Sequence, residues 1–445
     1  MTLKVSVSGV RGIVDQSLTP EICLNFAKAF GTLLNDGHIV VGTDPRASSE
    51  FIKGIVIQGL VSTGCKVTDL SICPTPTVAL MVQQLKAHGG IVVTASHNPQ
   101  EWNGLKFLRY DGIFLNQYQG EKLIRIYESK EFLRKDPGHS ESFTAAGEEH
   151  IKKILKNVNK HSICGKKFKV VLDSVNGAGS FVTPQLLKEL GCEVVEIYCK
   201  PDGTFPRGAE PTPNNTAKLQ QAVKEHGADI GFAQDPDADR LAIVSELGLP
   251  VSEEYTLALC VKHVLARSNG KKVVVTNLST SQAIDDIAKQ AGAIMIRTRI
   301  GEVHVAEEMK KELAVIGGEG NGGVIFPKVT YNRDSLSGIA LILEYMAKKD
   351  VPVSEILKEL PAYYTDKKKI ACSSQAEAES IIERTKEIFR DKSYDLTEGI
   401  KVFLKDGWIH VRASNTEPIV RIFAEARDAK LAASLTDHLL VDLKV

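Results

Sequence analysis

The sequence predicts an α/β protein in which three similar mixed α/β domains and a smaller C-terminal α+β domain surround a central cleft. A strand, loop, helix and strand pattern occurs three times along the chain. Each copy ends in a loop of unusual composition, and a hairpin pattern follows the last copy. The chain has 445 residues, which suffices for about three domains of ~150 residues.

The first helix is expected just before the first copy of the repeat. Thr19 can cap its N-terminus and Pro20 suits its first turn. Each copy then has a short β-branched strand, a polar or glycine-containing loop, a helix, a return strand that starts at a glycine, and a third strand. The first strands are residues 39–42, 169–172 and 273–276, the return strands start at Gly64, Gly191 and Gly292, and the third strands are residues 91–93, 230–232 and 314–316.

The loops after the third strands differ in chemistry. They read TASHNP at residues 94–99, DPDADR at 235–240 and GGEGNGG at 317–323. Ligand sites in such sheets favour the carboxyl ends of strands, so the three loops should face one cleft. Self-similarity of composition alone, which is common in α/β proteins, stays an alternative.

The pattern changes after Tyr363. Residues 366–369 (DKKK) are typical of a solvated linker, and a helix is expected around 376–389. Alternating residues on both sides of Asp406-Gly407, a preferred tight-turn pair, predict a β-hairpin. The predicted domains are therefore residues 1–160, 161–252, 253–366 and 367–445.

Composition excludes several classes of partner. The 55 basic and 55 acidic residues cancel, so no general attraction to nucleic acid or to an anionic membrane is indicated. No apolar run reaches the ~20 residues of a membrane span, and the N-terminus lacks a signal-peptide pattern. A cytoplasmic protein is expected. The eight scattered cysteines predict reduced core residues rather than disulfides or a zinc site.

Asp235, Asp237 and Asp239 place three carboxylates at alternate positions of one loop. Two carboxylates ~4 Å apart repel by roughly 4 kcal/mol at an effective dielectric near 20, so their convergence requires a cation. Oxygen ligands favour Mg²⁺ where phosphate is also bound. An EF-hand is disfavoured because Arg240 stands where the glycine is needed, and a solvated acidic turn remains the simpler alternative.

Ser96 lies in a segment of ordinary turn residues, and an adjacent Ser-His pair has poor geometry for a catalytic triad. The acidic loop of the next repeat changes this interpretation. A serine presented to a Mg²⁺ site can carry a phosphoryl group, whose charge of about −2 the ion offsets.

Two further loops have binding chemistry. Residues 318–323 match GxGxxG, but VIFP follows instead of a helix, which disfavours a dinucleotide site. The carboxylate of Glu319 and the amide of Asn321 suit sugar hydroxyls better, although a plain tight turn is also possible. Residues 412–418 (RASNTEP), with Arg421 beyond them, combine a guanidinium with hydroxyls as in a phosphate cradle. The alternative is a capped turn with a surface arginine.

Together with SGxRG at residues 8–12, these loops resemble the motifs of the α-D-phosphohexomutase superfamily, in the family's order and over essentially the whole chain. The resemblance implies an intramolecular phosphotransferase that interconverts hexose 6-phosphate and hexose 1-phosphate. It implies a phosphoserine, a hexose 1,6-bisphosphate that serves as intermediate and activator, and one Mg²⁺ per chain. The implied partner is a small phosphosugar, with no nucleic acid or membrane. The oligomeric state is left open.

The resemblance also implies roles for individual residues. Ser96 is the phosphoserine, and its phosphate holds Mg²⁺ with Asp235, Asp237 and Asp239. The basic residues expected near the transferred phosphoryl group are Arg11, Lys106 and Arg240, with Lys106 in proton transfer. The residues expected to bind the sugar hydroxyls and the second phosphate are Glu319, Asn321, Arg412, Ser414, Asn415, Thr416 and Arg421, with Arg299 as a further cleft candidate.

Two positions depart from the family pattern. Some members carry a serine two residues after the loop glutamate and a histidine soon afterwards, where this chain has Asn321 and Gly323. The GEGNGG loop, with EWNG at residues 101–104, resembles the archaeal and bacterial branch assigned to phosphoglucosamine mutase. Conversion of glucosamine 6-phosphate to glucosamine 1-phosphate is therefore predicted. The alternatives are phosphomannomutase or phosphoglucomutase activity, a simple phosphatase, and a non-catalytic sugar-phosphate sensor.

Overall fold

A computed structural model describes residues 3–6, 9–414 and 419–444. The described residues form three sheets with mixed parallel and antiparallel strands, followed by one antiparallel sheet. The predicted fold class is confirmed, whereas the exact domain boundaries stay a prediction. Among the described residues, no helix is long and apolar enough to cross a membrane.

The first sheet has seven strands. They are β1 (Lys4–Ser6), β2 (Gly9–Ile13), β3 (His38–Thr43), β4 (Lys66–Ile72), β5 (Gly89–Val93), β6 (Trp102–Arg109) and β7 (His139–Ser142), in the spatial order β1-β2-β6-β5-β3-β4-β7. The helices are α1 (Pro20–Leu33), α2 (Ser49–Val61), α3 (Thr75–Gln84) and α4 (Gln117–Ser129). Side chains of α1, α2 and α4 pack on one face of the sheet and those of α3 on the other. As predicted, the Thr19 side chain caps α1 and Pro20 opens it.

The second and third sheets share one large hydrophobic core. The second consists of β8 (Lys169–Asp173), β9 (Glu193–Ile197), β10 (Ile230–Gln234), β11 (Leu241–Ser245) and β12 (Pro250–Val251). The third consists of β13 (Val273–Asn277), β14 (Ile294–Thr298), β15 (Ile316–Glu319) and β16 (Gly323–Ile325). The accompanying helices are α5 (Ala146–Leu155), α6 (Lys160–Cys164), α7 (Gly179–Glu189), α8 (Ala217–His226), α9 (Glu253–Arg267), α10 (Ala283–Gln290), α11 (Glu302–Lys311), α12 (Ser335–Lys349) and α13 (Val353–Lys358).

The predicted threefold repeat is present in the order of the strands. The three sheets contain the equivalent runs β4-β3-β5-β6, β9-β8-β10-β11 and β14-β13-β15-β16. In each run, the first three strands are parallel and the fourth is antiparallel. The loops after β5, β10 and β15 therefore leave equivalent edges of the three sheets.

The third copy deviates from its predicted bounds, since β15 begins at Ile316 and includes residues predicted as loop. A Cβ atom at Gly317 would lie 2.4 Å from the Val275 carbonyl oxygen, and one at Gly318 would lie 2.1 Å from that of Gly323. The glycines are thus needed for close approach of neighbouring strands, which their usual role in turns conceals.

The C-terminal sheet has the order β17-β21-β20-β19-β18. Its elements are β17 (Tyr364–Ala371), α14 (Gln375–Ile388), β18 (Ser393–Asp395), β19 (Ile400–Leu404), β20 (Gly407–Ala413), β21 (Ile419–Ala426) and α15 (Ala429–Leu443). The predicted hairpin is formed by β19 and β20. The predicted linker at residues 366–369 is wrong, because these residues pair with β21 within β17. Lysines are typical of such edge strands, where they oppose pairing with another chain.

Candidate active site

Ser96 lies directly beyond β5 in a strained backbone conformation. Its φ of 52° is in the left-handed region, and its N–H donates to Thr94 Oγ1 at 2.9 Å. The side chain is directed toward the second domain, with Oγ 3.5 Å from Asp235 Oδ2 and 3.4 Å from His97 Nδ1. Only 5% of the residue is exposed, so the loop presents this hydroxyl to a partly enclosed space.

A buried arginine fixes the serine loop. The guanidinium of Arg46 donates to the carbonyl of Ser96 at 2.6 Å and pairs with Asp44 at 2.9 Å. Further carbonyls that accept from it belong to Asn98, Pro99 and Trp102. Asp44 and Arg46 were missed in the sequence. The available signal was a charged pair directly after the first strand of the repeat. Because that strand is parallel to the one before Ser96, the two following loops leave the same edge of the sheet.

The three aspartates after β10 converge as predicted. Asp235, Asp237 and Asp239 are completely buried, and one carboxylate oxygen of each lies within 4.8 Å of the others. Asp235 Oδ1 accepts from the N–H groups of Asp239 at 3.0 Å and Arg240 at 3.1 Å. Burial, followed by repulsion from the other two aspartates, raises the pKa of Asp235 well above its usual value.

The donor set fits a hard divalent cation. Asp237 Oδ1 and Asp239 Oδ1 are buried and have no hydrogen-bond partner among the described residues. Unsatisfied carboxylate oxygens at such positions are costly unless a cation coordinates them. With Asp235 Oδ2 beside the Ser96 hydroxyl, these oxygens can hold Mg²⁺, which prefers oxygen ligands and phosphate.

Lys106, on β6, joins the first domain to this acidic loop. Its Nζ lies 2.6 Å from Asp237 Oδ2 and 3.6 Å from Asp239 Oδ2. Burial alone would lower the pKa of Lys106, but the two carboxylates raise it above its usual value. Burial would likewise raise the pKa of Asp237, yet Lys106 and the Thr75 hydroxyl hold it well below its usual range.

Arg333, between β16 and α12, is a second functional residue that the sequence analysis missed. Its Nη2 lies 2.6 Å from Asp239 Oδ2 and its Nη1 lies 2.7 Å from Glu319 Oε2. Its Nε pairs with Glu302 at 3.1 Å, and burial raises the pKa of Glu302 to about 7. No motif marked Arg333, because its function depends on contacts distant in sequence.

Glu319 ends β15 and is almost completely buried. Its Oε1 accepts from Asn277 Nδ2 at 2.8 Å and from the N–H of Gly301 at 3.3 Å. Asn321 Nδ2 lies 3.4 Å from Glu319 Oε2. The carboxylate is therefore held by neutral donors and by Arg333, in an arrangement suited to hydroxyl or ammonium groups.

The predicted phosphate loop brings two cations together. Arg412 on β20 pairs in register with Arg421 on β21, so both side chains extend from one face of the sheet. Arg412 lies 3.8 Å from Glu398, and its Nε has no hydrogen-bond partner among the described residues. Burial lowers the pKa of Arg412, and Arg421 lowers it further. Asn415, Thr416 and the first residue of SGxRG, Ser8, lie outside the described residues.

Two adjoining cavities connect these groups. A cavity of 280 Å³ is lined by Ser96, Lys106, Arg11 and Arg333 among others. A cavity of 500 Å³ is lined by Arg412, Arg421 and Ser414 among others. Both cavities share His97, Arg240, Ile300, Glu319 and Asn321. The serine, Arg240 at the end of the acidic loop, and the two arginines thus border one continuous cleft.

Of the remaining predicted residues, the structure places Arg11 and Arg240 at the cleft and Arg299 outside it. Arg11 Nη1 donates to Asn98 Oδ1 at 3.1 Å, which places it against the serine loop. Arg240 Nη1 lies 3.1 Å from Glu210 Oε1, at the junction of the two cavities. Arg299 is exposed and lines neither cavity, since β14 ends just before it, and Ile300 faces the cleft in its place.

His97 is electrically neutral despite its position beside Ser96. Burial, followed by the charges of Arg240 and Arg11, lowers the pKa of His97 to about 2. The cations around Ser96 are therefore arginine and lysine side chains, and the histidine contributes only neutral donor and acceptor atoms.

Comparison with known proteins agrees with this architecture. The four phosphoglucomutase/phosphomannomutase domain families match in order: alpha/beta/alpha domain I at residues 2–134, domain II at 148–248, domain III at 252–364 and the C-terminal domain at 350–440. A Thermococcus kodakarensis protein named phosphoglucomutase/phosphomannomutase is 41% identical over 440 residues, covering 95% of this chain and 94% of that protein.

Two further proteins are similar over the whole chain. A Pyrococcus abyssi protein named "Probable phosphoglucosamine mutase" is 39% identical, covering 97% of this chain and 95% of that protein. A crystal structure of a phosphoglucomutase/phosphomannomutase family protein from Burkholderia thailandensis has a TM-score of 0.86 at 25% identity, covering 99% and 98% of the two chains. The chain therefore belongs to the phosphoglucomutase/phosphomannomutase family of the α-D-phosphohexomutase superfamily.

Proposed function

We propose that the protein is a phosphohexomutase that interconverts hexose 6-phosphate and hexose 1-phosphate through a phosphoserine at Ser96. One observation carries the proposal. Ser96 Oγ lies 3.5 Å from Asp235 in the cavity that adjoins the one bordered by Arg412 and Arg421. A phosphoryl carrier and a second phosphate site in one cleft are what a mutase needs, whereas hydrolysis needs only the carrier.

In the proposed transfer, the bond between phosphorus and Ser96 Oγ breaks while a bond forms between phosphorus and O1 of hexose 6-phosphate. Lys106, which starts as an ammonium group, donates a proton to Ser96 Oγ as that bond breaks, and the resulting amine takes up the proton of the O1 hydroxyl. The product is hexose 1,6-bisphosphate. Arg11 and Arg240, which line the same cavity, stabilise the negative charge of the transferred group.

Asp235, Asp237, Asp239 and the Ser96 phosphate would hold one Mg²⁺ per chain. When bound, Mg²⁺ offsets the charge of the phosphoryl group during transfer. The aspartates provide a prearranged, buried set of oxygens, so the protein supplies the geometry before the phosphate arrives.

The second phosphate of the bisphosphate binds at Arg412, Arg421 and Ser414, to which Asn415 and Thr416 add. The bisphosphate then reorients within the cleft, so that its 6-phosphate faces Ser96 and returns a phosphoryl group to the serine. Glu319 and Asn321 line both cavities and contact the sugar hydroxyls in either orientation. Free hexose 1,6-bisphosphate activates the enzyme because it can phosphorylate Ser96.

Glucosamine 6-phosphate is the proposed substrate. Glu319 lines both cavities, and its carboxylate can accept a hydrogen bond from the ammonium group of an amino sugar. The name of the Pyrococcus abyssi relative supports the same substrate. The name of the Thermococcus kodakarensis relative supports mannose or glucose phosphates instead.

The decisive experiment supplies the purified protein with glucosamine 6-phosphate, glucose 1-phosphate or mannose 1-phosphate, each with Mg²⁺ and the bisphosphate activator. We expect isomerised product, fastest from glucosamine 6-phosphate. We also expect an intact mass one phosphate above that of the unphosphorylated chain, a species that Ser96→Ala should lack. Accumulation of inorganic phosphate without isomer would indicate a phosphatase. Binding without any turnover would indicate a sensor.

A further inference from the structure

Arg333 connects the loop of the three aspartates to the loop that carries Glu319. The two terminal nitrogens of its guanidinium are divided between the loops: Nη2 is 2.6 Å from Asp239 Oδ2 and Nη1 is 2.7 Å from Glu319 Oε2. The residue is 8% exposed. Because the buried guanidinium bonds to both loops, it fixes the distance between them.

The opposite side of Arg333 is also held. Its Nε lies 3.1 Å from Glu302 Oε2, and its backbone N–H donates to Glu302 Oε1 at 2.7 Å. Glu302 begins α11 and is itself 9% exposed. Nε makes no hydrogen bond among the described residues, so its contact with Glu302 is an ion pair. The guanidinium is therefore hydrogen-bonded to two loops and ion-paired with the start of α11.

Gly323 provides the space that Arg333 occupies. A Cβ atom at Gly323 would lie 2.2 Å from Cδ and 2.8 Å from Cγ of Arg333. These atoms lie in the middle of a side chain whose guanidinium is hydrogen-bonded to two loops, so they can move only by disturbing those contacts. Any side chain at position 323 would clash with Arg333 in its present conformation. Glycine at this position, where some members of the family carry a histidine, thus permits the link between the two loops.

The contact with Arg333 also determines the direction of the Asp239 carboxylate. Arg333 engages Oδ2, whereas Oδ1 has no hydrogen-bond partner among the described residues. Fixing one oxygen of a carboxylate orients the other, and such supporting contacts tune the affinity of metal sites.

We infer that Arg333 is a positioning residue that orients Asp239 for Mg²⁺ and holds Glu319 at a set distance from it, and that Gly323 is required for this role. The inference rests on the proposed function, because it assigns Mg²⁺ to the aspartates and a sugar to Glu319. It predicts that the metal site and the sugar site of this chain are energetically coupled through one side chain.

The test measures Mg²⁺ binding to the purified full-length protein by calorimetry without any sugar, and then the kcat and KM for glucosamine 6-phosphate. Arg333→Lys keeps the charge but replaces the guanidinium with a single ammonium. We expect its Mg²⁺ affinity to fall by about 10- to 100-fold. We also expect KM to rise and kcat to fall, because Glu319 loses its contact with the guanidinium.

Gly323→Ala reaches the same contact by a different route and serves if Arg333→Lys does not fold. It should also weaken Mg²⁺ binding. The double variant should lose little more Mg²⁺ affinity than whichever single variant binds Mg²⁺ less tightly, since both changes break the same link. Arg109→Lys, in an ion pair with Asp111 and Glu307, and Gly54→Ala, whose added Cβ meets no atom within 4 Å, are the matched controls.

Unchanged Mg²⁺ affinity in folded Arg333→Lys and Gly323→Ala would overturn the inference. Purely additive losses in the double variant would also overturn it. If the wild-type protein turned over none of the three sugar phosphates, the proposed function would fail. The calorimetric comparison would still decide the role of Arg333 at the cation site, because it requires neither sugar nor turnover.

Discussion

The two halves of the cleft hold charge in opposite ways. In the donor half, around Ser96, opposite charges are paired and buried: Asp237 lies 2.6 Å from Lys106, and Asp239 lies 2.6 Å from Arg333. In the clamp half, around Arg412, like charges are adjacent, because Arg412 and Arg421 occupy paired positions on neighbouring strands. Like charges directly opposite each other destabilise a sheet.

This difference indicates what each half is prepared for. The donor half already contains nearly every charge it needs, in a network contributed by three α/β domains. Among the described residues, its buried atoms without a hydrogen-bond partner include one oxygen each of Asp237 and Asp239, beside the candidate cation site. In the clamp half, the two arginines stand directly across from each other on paired strands, and a bound phosphate would relieve the repulsion between them. Changes in the donor half should therefore affect chemistry and folding, and changes in the clamp half should affect binding.

The largest effect is expected for Asp237→Asn, which tests the donor half. The amide removes one ligand charge and breaks the ion pair with Lys106. We expect turnover to fall by about 10³-fold, or about 4 kcal/mol, together with loss of calorimetric Mg²⁺ binding. Asp391→Asn, at an exposed position, is the control. Retained Mg²⁺ affinity and turnover would refute the assignment of the aspartates.

The next effect is expected for Arg46→Met, which tests whether donor-half chemistry and folding are coupled. The change leaves Asp44 buried without its partner and releases the Ser96 carbonyl. We expect urea unfolding to show a loss of about 3 to 5 kcal/mol, with a lower kcat in the molecules that remain folded.

Arg267→Met is the matched control for this change. Arg267 pairs with Glu344 outside the cleft. We expect it to cost stability while kcat per folded molecule stays at the wild-type value. If Arg46→Met behaved in the same way, the serine loop would not depend on the buried arginine.

A smaller effect is expected for Arg412→Ala, which tests the clamp half. Loss of a charge-assisted contact to the second phosphate should raise KM by about 10- to 100-fold while kcat changes less. The free energy of unfolding should change little, because the wild-type arginine is repelled by Arg421. Arg427→Ala, an exposed arginine paired with Asp286, should leave KM unchanged. An equal KM in both variants would place the second phosphate elsewhere.

Much of this contrast could be predicted from the sequence, because both halves use local motifs. The three aspartates and Ser96 occupy short loops after repeated strands, and Arg412 follows a clear hairpin signal. Arg333 could not be predicted, since it contacts loops that are distant in sequence. Arg46 had a local signal, the charged pair with Asp44, but the sequence did not show which loop it contacts. The edge strand at residues 366–369 was mistaken for a linker because lysines are common in both. Arg299 was named as a cleft candidate from the resemblance, but it follows the end of β14, is exposed and lines neither cavity.

The smallest effect at neutral pH concerns His410, which joins the clamp half to the third domain. His410 Nδ1 lies 3.0 Å from Ser279 Oγ, and its Nε2 lies 2.8 Å from the Glu398 carbonyl oxygen. Burial lowers the pKa of His410 to about 3, so the folded protein keeps the ring neutral while the unfolded chain protonates it below about 6.5.

The unfolded state then binds more protons, so stability falls as the pH decreases from about 6.5 toward 3, by up to about 1.4 kcal/mol per pH unit for this one group. His410→Gln should therefore flatten the wild-type decline in urea-unfolding free energy between these pH values, with no such change in the exposed control His226→Gln. We expect phosphate binding in the clamp half to weaken over the same pH range. Glu398 connects the two sites, since its carbonyl oxygen lies beside His410 and its side chain lies 3.8 Å from Arg412. An identical pH slope in wild type and His410→Gln would show that His410 does not stay neutral in the folded protein.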